Sequence, residues 1–311
     1  MTDISVIIPV YFNDSSIEKT INAIKEQVIG RNKNRTFEII CIDDGSEDTS
    51  FEVLERLYSE NRELLKIIKF SRNFGQVQAM LAGYKMAKGQ CVINISADLQ
   101  DPPMLMNEMI YAFFNENVEI IIGTRLDRKE SLYRKKTSHF FYKLIQKLSF
   151  PNMPVGGFDY ALLGRKVVDV ILSNKDSSPF WQGQILWTGF PVKFIPYIRS
   201  ERESGKSRWT FSKKVKYLID GVLSYSYFPL RAISILGAIL FFIGIIYALI
   251  IVATYFFGEV PFNGWAPIMI IMLVLFGVVL LMLGVIGEYL WRVLEQVRGR
   301  LGYVIEKELK D

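Results

Sequence analysis

The chain has 311 residues, half of them hydrophobic, with 37 Lys and Arg against 32 Asp and Glu, one histidine and two cysteines. His139 has no metal-ligand spacing around it and reads as a surface or interfacial helix residue, so a Ser-His-Asp hydrolase is hard to build; Cys41 and Cys91 fall in predicted strands and read as reduced core thiols. The net charge of +5 fits anionic lipid headgroups and phosphorylated substrates, and no nucleic-acid-binding motif accompanies it.

Short β-branched runs at 4–10, 37–42, 65–70, 91–95 and 118–123 predict strands, and the stretches 16–27, 49–58, 76–88 and 104–114 between them predict helices. This alternation implies an α/β fold with a mainly parallel sheet covered by helices on both faces. Ligands of such sheets bind beyond the carboxyl ends of the strands. Those ends carry Pro9 and Tyr11, Asp43 and Asp44, Ser71 and Arg72, Ser96 and Asp98, and Thr124 and Arg125.

The fourth strand runs into Ser96-Ala97-Asp98-Leu99-Gln100-Asp101-Pro102-Pro103. The Asp98 carboxylate and Gln100 amide are hard oxygen donors suited to Mg²⁺ or Mn²⁺, and the two prolines stop the strand and start a helix. A plain strand-to-helix turn with a capping aspartate is the alternative.

Beyond Arg125 the pattern changes to basic-aromatic, amphipathic segments at 133–150 and 213–228, which suit a membrane surface. Residues 232–257 and 261–287 contain no charge. Each run of about 26 residues would form a helix about 39 Å long, enough to cross a bilayer. The intervening Gly258-Glu259-Val260 lacks Lys and Arg, whereas the outer flanks carry Lys213, Lys214, Lys216 and Arg231, then Arg292, Arg298 and Arg300. By the positive-inside rule both ends of the hairpin face the cytoplasm. No signal peptide is expected ahead of the short run Val6–Val10. The expected domains are a cytoplasmic catalytic domain at 1–210, an amphipathic juxtamembrane helix at 211–229, two transmembrane helices within 230–292 (about 232–257 and 265–287), and a cytoplasmic tail at 293–311.

The order of Ile4–Tyr11, Ile42-Asp43-Asp44-Gly45-Ser46, Ser71-Arg72-Asn73-Phe74-Gly75 and Ala97–Pro103 resembles the motifs of family 2 glycosyltransferases with the GT-A fold. Phe158-Asp159-Tyr160, Gly205-Lys206-Ser207-Arg208-Trp209 and Gly287-Glu288-Tyr289-Leu290-Trp291-Arg292 are similar to motifs of the polyprenyl-phosphate hexosyltransferase branch, which includes bactoprenol glucosyltransferases and dolichyl-phosphate mannose synthases. The resemblance covers nearly the whole chain.

It implies an inverting hexosyltransferase of the plasma or inner membrane, taking glucose from UDP-glucose to undecaprenyl or another polyprenyl phosphate for cell-envelope glycans. It further implies self-association and a Mg²⁺ or Mn²⁺ cofactor at Asp98 and Gln100. Nucleotide-sugar contacts would come from Pro9, Tyr11, Asp44, Arg72, Asn73 and Asp98, with Asp44 reading the base. Lipid-phosphate contacts would come from Arg202, Ser207 and Arg208. Asp159 matches the family's catalytic base; because a phosphate monoester is largely dianionic at neutral pH, Asp159 is expected chiefly to orient the acceptor or sugar and stabilise positive charge. Turn or helix caps are the alternatives for Asp44 and Asp159. Two positions depart from the family: Ser96 stands where an aspartate is common, leaving one carboxylate fewer for the metal, and Ala161 stands where an arginine commonly follows the catalytic Asp. A mannose- or N-acetylglucosamine-type transferase, a processive synthase, and a non-catalytic nucleotide-binding membrane subunit remain the other readings.

Overall fold

The computed structural model describes residues 2–126, 143, 146–147, 149–174, 179–200, 221, 225–226, 228–256 and 266–310. They divide into two units, 1–221 with 300–311, and 222–299.

The first unit alternates as the sequence predicts: β1 (Ile4–Val10), α1 (Ile17–Gln27), β2 (Phe37–Asp43), α2 (Ser50–Glu60), β3 (Leu65–Phe70), α3 (Gln76–Met86), β4 (Cys91–Asn94), α4 (Leu105–Glu116) and β5 (Ile120–Arg125). Then follow β6 (Ala161–Gly164), α5 (Arg165–Ser173), α6 (Trp181–Trp187), β7 (Val192–Tyr197) and, after the second unit, β8 (Ile305–Leu309). The strands form one sheet in the order β7-β5-β6-β4-β1-β2-β3-β8. β1 pairs parallel with both β2 and β4, β2 with β3, and β5 with β7; β6 and β8 are antiparallel to their neighbours.

Strands β1, β2 and β4 are apolar and buried along almost their whole length, as a sheet covered on both faces requires. The helices supply the cover with one stripe each: Ile17, Ile21 and Ile24 of α1, and Phe51, Leu54 and Leu57 of α2. Helix α3 approaches most closely at Gly83, where a Cβ would lie 2.6 Å from Ile7 Cγ2 and 2.9 Å from Ile42 Cδ1. The order β4-β1-β2 makes the gap between β1 and β4 a topological switch point, so the loops leaving their carboxyl ends open into a crevice.

Strand β8, where only a tail was expected, adds an edge to the sheet. Its Lys307 pairs with Glu55, and Tyr303 just before it stacks on Phe70 with ring centroids 4.9 Å apart. The second unit contains α7 (Phe228–Phe256) and α8 (Ala266–Arg298), 29 and 33 residues long. Both are long and apolar enough to cross a membrane, and large apolar side chains such as Phe241, Phe242, Leu280 and Leu281 are exposed along them. Helix α8 runs past the expected end at 287 through Glu288, which ion-pairs with Arg292 at 3.6 Å.

Overpacking at the close helix-to-sheet contact of α3 should be costly. Gly83→Ala is expected to destabilise the first unit by about 1–3 kcal/mol, read from the shift of its denaturant-unfolding midpoint.

Candidate active site

Three loops meet at the carboxyl ends of β1, β2 and β3. Phe12 N–H donates to Ser46 Oγ at 3.1 Å and Asn13 N–H to Ser50 Oγ at 2.8 Å, stitching the Tyr11 loop to the turn after β2. Within that turn Asp43 accepts from Ser46 N–H at 3.1 Å, and Asp48 accepts from Ser50 N–H at 3.1 Å at the start of α2, whose N-cap is Thr49. Asp44 is therefore not the helix cap. Its buried carboxylate accepts from Phe74 N–H at 2.7 Å, Gly75 N–H at 2.9 Å and Asn73 Nδ2 at 2.9 Å. It thus holds the loop that follows β3, and a base N–H would share an already occupied acceptor. Burial raises its pKa to about 6, against the pull of the Phe74 and Gly75 amides.

Gly45 makes this closure possible. With φ +68°, it brings the turn so near β3's loop that a Cβ would sit 2.3 Å from the Arg72 carbonyl carbon. Arg72 lies exposed with its guanidinium 4.1 Å over the Phe74 ring, and Asn73 reaches Asp44, so both expected nucleotide residues border the same loop. Pro9 and Tyr11 lie half-buried at the end of β1.

The acidic turn after β4 is anchored from α1, where Ser16 and Thr20 hydroxyls donate to Ala97 O at 2.8 and 3.0 Å. Leu99 takes φ +54°, reversing the chain so that Gln100 N–H reaches Asp98 Oδ1 at 3.3 Å. The turn's two aspartates differ. Asp98 is 9% exposed, while Asp101 is 1% exposed, with Ser96 Oγ 2.8 Å from its Oδ2 and Tyr197 OH 2.5 Å from its Oδ1. Ser96 therefore donates a hydrogen bond where a carboxylate could only accept. Arg199 Nε lies 3.3 Å from the same Asp101 oxygen, and Ser200 N–H donates to Gln100 O at 2.9 Å.

Asp159 lies between β5 and β6 in the sequence, and the helix that follows, α5, has Gly164 at its N-cap and no side-chain cap. The half-exposed Asp159 carboxylate accepts from Arg125 Nη2 at 2.7 Å. Burial works against the Arg125 charge, but Asp159, Tyr197 and Asp101 outweigh it and hold the guanidinium above its usual pKa. Ala161 is fully buried in β6 opposite Asn94 and Ile122, so no arginine side chain is offered there. Arg125, 34 residues upstream of Asp159, provides the guanidinium instead. Its place at a strand end was the signal in the sequence; nothing there named Asp159 as its partner. Arg202, Ser207 and Arg208, with most of both amphipathic segments, lie outside the described residues.

Residues 5–172 match the family described as Glycosyl transferase family 2. The chain belongs to that family. This glycosyltransferase is 35% identical over 304 residues to the uncharacterized glycosyltransferase YkcC of Bacillus subtilis, covering 97% of this chain and 93% of that one. It is 32% identical over 309 residues to the bactoprenol glucosyl transferase of Shigella phage SfII, covering 98% and 97%. Among solved structures, glucosyl-3-phosphoglycerate synthase of Mycobacterium tuberculosis, in complex with Mn²⁺, UDP-glucose and phosphoglyceric acid, superposes with a TM-score of 0.49 at 16% identity over 71% of this chain and 80% of that one.

The donor set of the glycosyltransferase fits a cation shared with a phosphorylated ligand. No group of three or more His, Cys, Asp or Glu side chains among the described residues could cage a metal, and Asp101 is committed to Ser96 and Tyr197. Asp98, with Gln100, matches the sparse protein coordination that Mg²⁺ accepts when phosphates and waters complete its shell.

Unfolded aspartate titrates near ~4, while folded Asp44 does so at about 6. The folded chain thus binds the extra proton between these values, and the stability contributed by this group falls as pH rises across that window, then stays level above it. Protonation also removes acceptor capacity from the 73–75 loop. Affinity for a nucleoside diphosphate, measured by calorimetry, is therefore expected to drop as pH falls through about 6; Asp44→Asn, which cannot ionise, should bind more weakly throughout and lose that pH dependence.

Proposed function

We propose that this glycosyltransferase moves glucose from UDP-glucose to a polyprenyl phosphate, undecaprenyl phosphate in bacteria, with inversion at the anomeric carbon and at the cytoplasmic face of the cell membrane. The observation that carries this reading is that a half-exposed, arginine-paired Asp159 and the acidic Asp98 turn belong to one unit, while the same chain adds two membrane-length helices. The names of relatives that match along nearly the whole chain, hairpin included, support bactoprenol as the lipid and glucose as the sugar.

The lipid phosphate is mostly dianionic and attacks the anomeric carbon without first surrendering a proton. Asp159, ion-paired to Arg125, serves as an oriented charge beside the sugar, and the buried guanidinium offsets the negative charge gathered there. Arg72 and Asn73 border the nucleotide from the β3 side. A divalent cation held by Asp98 and Gln100 would neutralise charge on the departing diphosphate. In their matching sequence positions, Arg202, Ser207 and Arg208 would contact the phosphates.

Membrane placement has its own support. The first unit contains both 1–221 and 300–311, so the chain departs from and returns to a single folded body around the two helices. This supports an even number of crossings, and the basic flanks support a cytoplasmic side for both ends.

In detergent, radiolabel from UDP-glucose should pass to undecaprenyl phosphate in a divalent-cation-dependent reaction, and Asp98→Ala and Asp159→Asn should each cost at least ~100-fold in rate. Full activity in either variant would remove that residue's assigned role. A single cysteine placed at Gly258 of a variant lacking Cys41 and Cys91 should react with an impermeant thiol reagent from outside intact cells, whereas one at Ser15 should not.

A further inference from the structure

A continuous run of polar contacts links the acidic turn to Asp159 through Arg125 and through two residues with no assigned part in the reaction, Asp101 and Tyr197. Ser96 Oγ donates to Asp101 Oδ2 at 2.8 Å, and Tyr197 OH donates to Asp101 Oδ1 at 2.5 Å. Arg125 Nε donates to the Tyr197 oxygen at 3.4 Å, and Arg125 Nη2 donates to Asp159 Oδ2 at 2.7 Å. Four elements contribute: the turn after β4, the end of β7, the end of β5, and the segment before β6. Exposure rises from Asp101 to Asp159 along the run. Asp101 is 1% and Tyr197 6% exposed, the Arg125 side chain 10%, and the Asp159 side chain 46%.

The chemistry of each member fixes its role. A carboxylate as buried as Asp101 is too costly to leave unpaired, and its two oxygens are taken by hydroxyls and by Arg199. It therefore acts as a fixed acceptor. The phenol of Tyr197 has one proton, which goes to Asp101, so its oxygen is left to receive the Arg125 Nε–H. The ring has little room to turn: Gly123 lies opposite, where a Cβ would come within 3.1 Å of Tyr197 Cε1, and Tyr160 packs edge-on at 5.9 Å. Arg125 in turn presents a planar fork, so setting the direction of Nε also sets that of Nη2.

We propose that Tyr197, held by Asp101, is a positioning residue: it orients the Arg125 guanidinium and so aims the half-exposed Asp159 carboxylate. The inference rests on Asp159 serving the transfer reaction as set out above. A half-exposed carboxylate on a connecting segment has many rotamers, and in-line attack tolerates few of them. The contact from Tyr197 to Arg125 is long for a hydrogen bond, so the strong, short Tyr197–Asp101 contact supplies the rigidity and the longer one passes on the direction.

Tyr197→Phe tests this, since it keeps the packed ring and deletes only the hydroxyl. With UDP-glucose and undecaprenyl phosphate in detergent, kcat is expected to fall by roughly tenfold or more while KM for UDP-glucose stays within about twofold. Asp101→Asn should act in the same direction, and the double variant should be no worse than the worse single one, because both interrupt one path. UDP affinity measured by calorimetry should be unchanged in Tyr197→Phe. The proposal is overturned if Tyr197→Phe turns over like the parent, if its loss lies in KM alone, or if the two losses multiply. Should Asp101→Asn fail to fold, the kcat and KM of Tyr197→Phe still decide. Parent and Asp159→Asn run alongside separate the two failures: a parent that transfers nothing removes the proposed function and this inference with it, whereas an active parent, an inactive Asp159→Asn and an active Tyr197→Phe remove the inference alone.

Discussion

Carboxylates buried at the ends of parallel strands have to be paired, and that requirement organises the rim of this protein. Asp43 and Asp44 end β2, while Asp98 and Asp101 follow β4; none is more than 9% exposed. A buried charge left without partners costs several kcal/mol, a large share of the roughly 5–15 kcal/mol by which a domain is stable. The partners come from the same turn or from a neighbouring element: the Ser46 amide for Asp43 and Ser96 for Asp101 within their own turns, the 73–75 backbone for Asp44 and Tyr197 for Asp101 from outside them. The groups suited to bind a nucleotide and a cation thus also close the loops around the crevice.

A division of labour follows within each acidic pair. Asp43 secures its own turn while Asp44 reaches across to the β3 loop; Asp101 faces inward to Ser96 and Tyr197 while Asp98 lies at the outer part of its turn. One member of each pair is spent on structure nearby, which leaves the other a defined position. The edge of the sheet takes part as well. Tyr303 stacks on Phe70, and Phe70 meets Phe74 edge-on at 5.7 Å, so the segment that follows α8 is packed against the loop that Asp44 holds.

The sequence made the first five strands and four helices legible because each is a local pattern: a β-branched run, a turn, an amphipathic stripe. The same reasoning located the acidic turn and the two apolar helices. It could not show β6, β7 or β8, whose pairing is non-local; Ile305-Glu306-Lys307-Glu308-Leu309 is a charged edge strand and reads as a tail. Helix α8 continues to Arg298 because the charges after Gly287 fall on a helix, not on a break. Within the site, the residue types were visible but their partners were not. Ser96 looked like a missing ligand and is a hydrogen-bond donor to Asp101. Asp44 reads as a base contact, and its ties to the backbone amides of the 73–75 loop, about 30 residues away, were not legible. Arg125 was only a strand-end residue until the fold brought Asp159 to it.

In the proposed reaction the crevice at the ends of β1, β2 and β4 holds a nucleotide sugar with its diphosphate at Asp98 and its sugar toward Asp159. A structure of the full chain with UDP-glucose and Mn²⁺ tests it most directly. The account predicts density for the cation within about 2.2 Å of an Asp98 carboxylate oxygen, bridged to the diphosphate, with the anomeric carbon on the side of the Arg125–Asp159 pair. A nucleotide bound elsewhere, or a cation bound without Asp98, would contradict it.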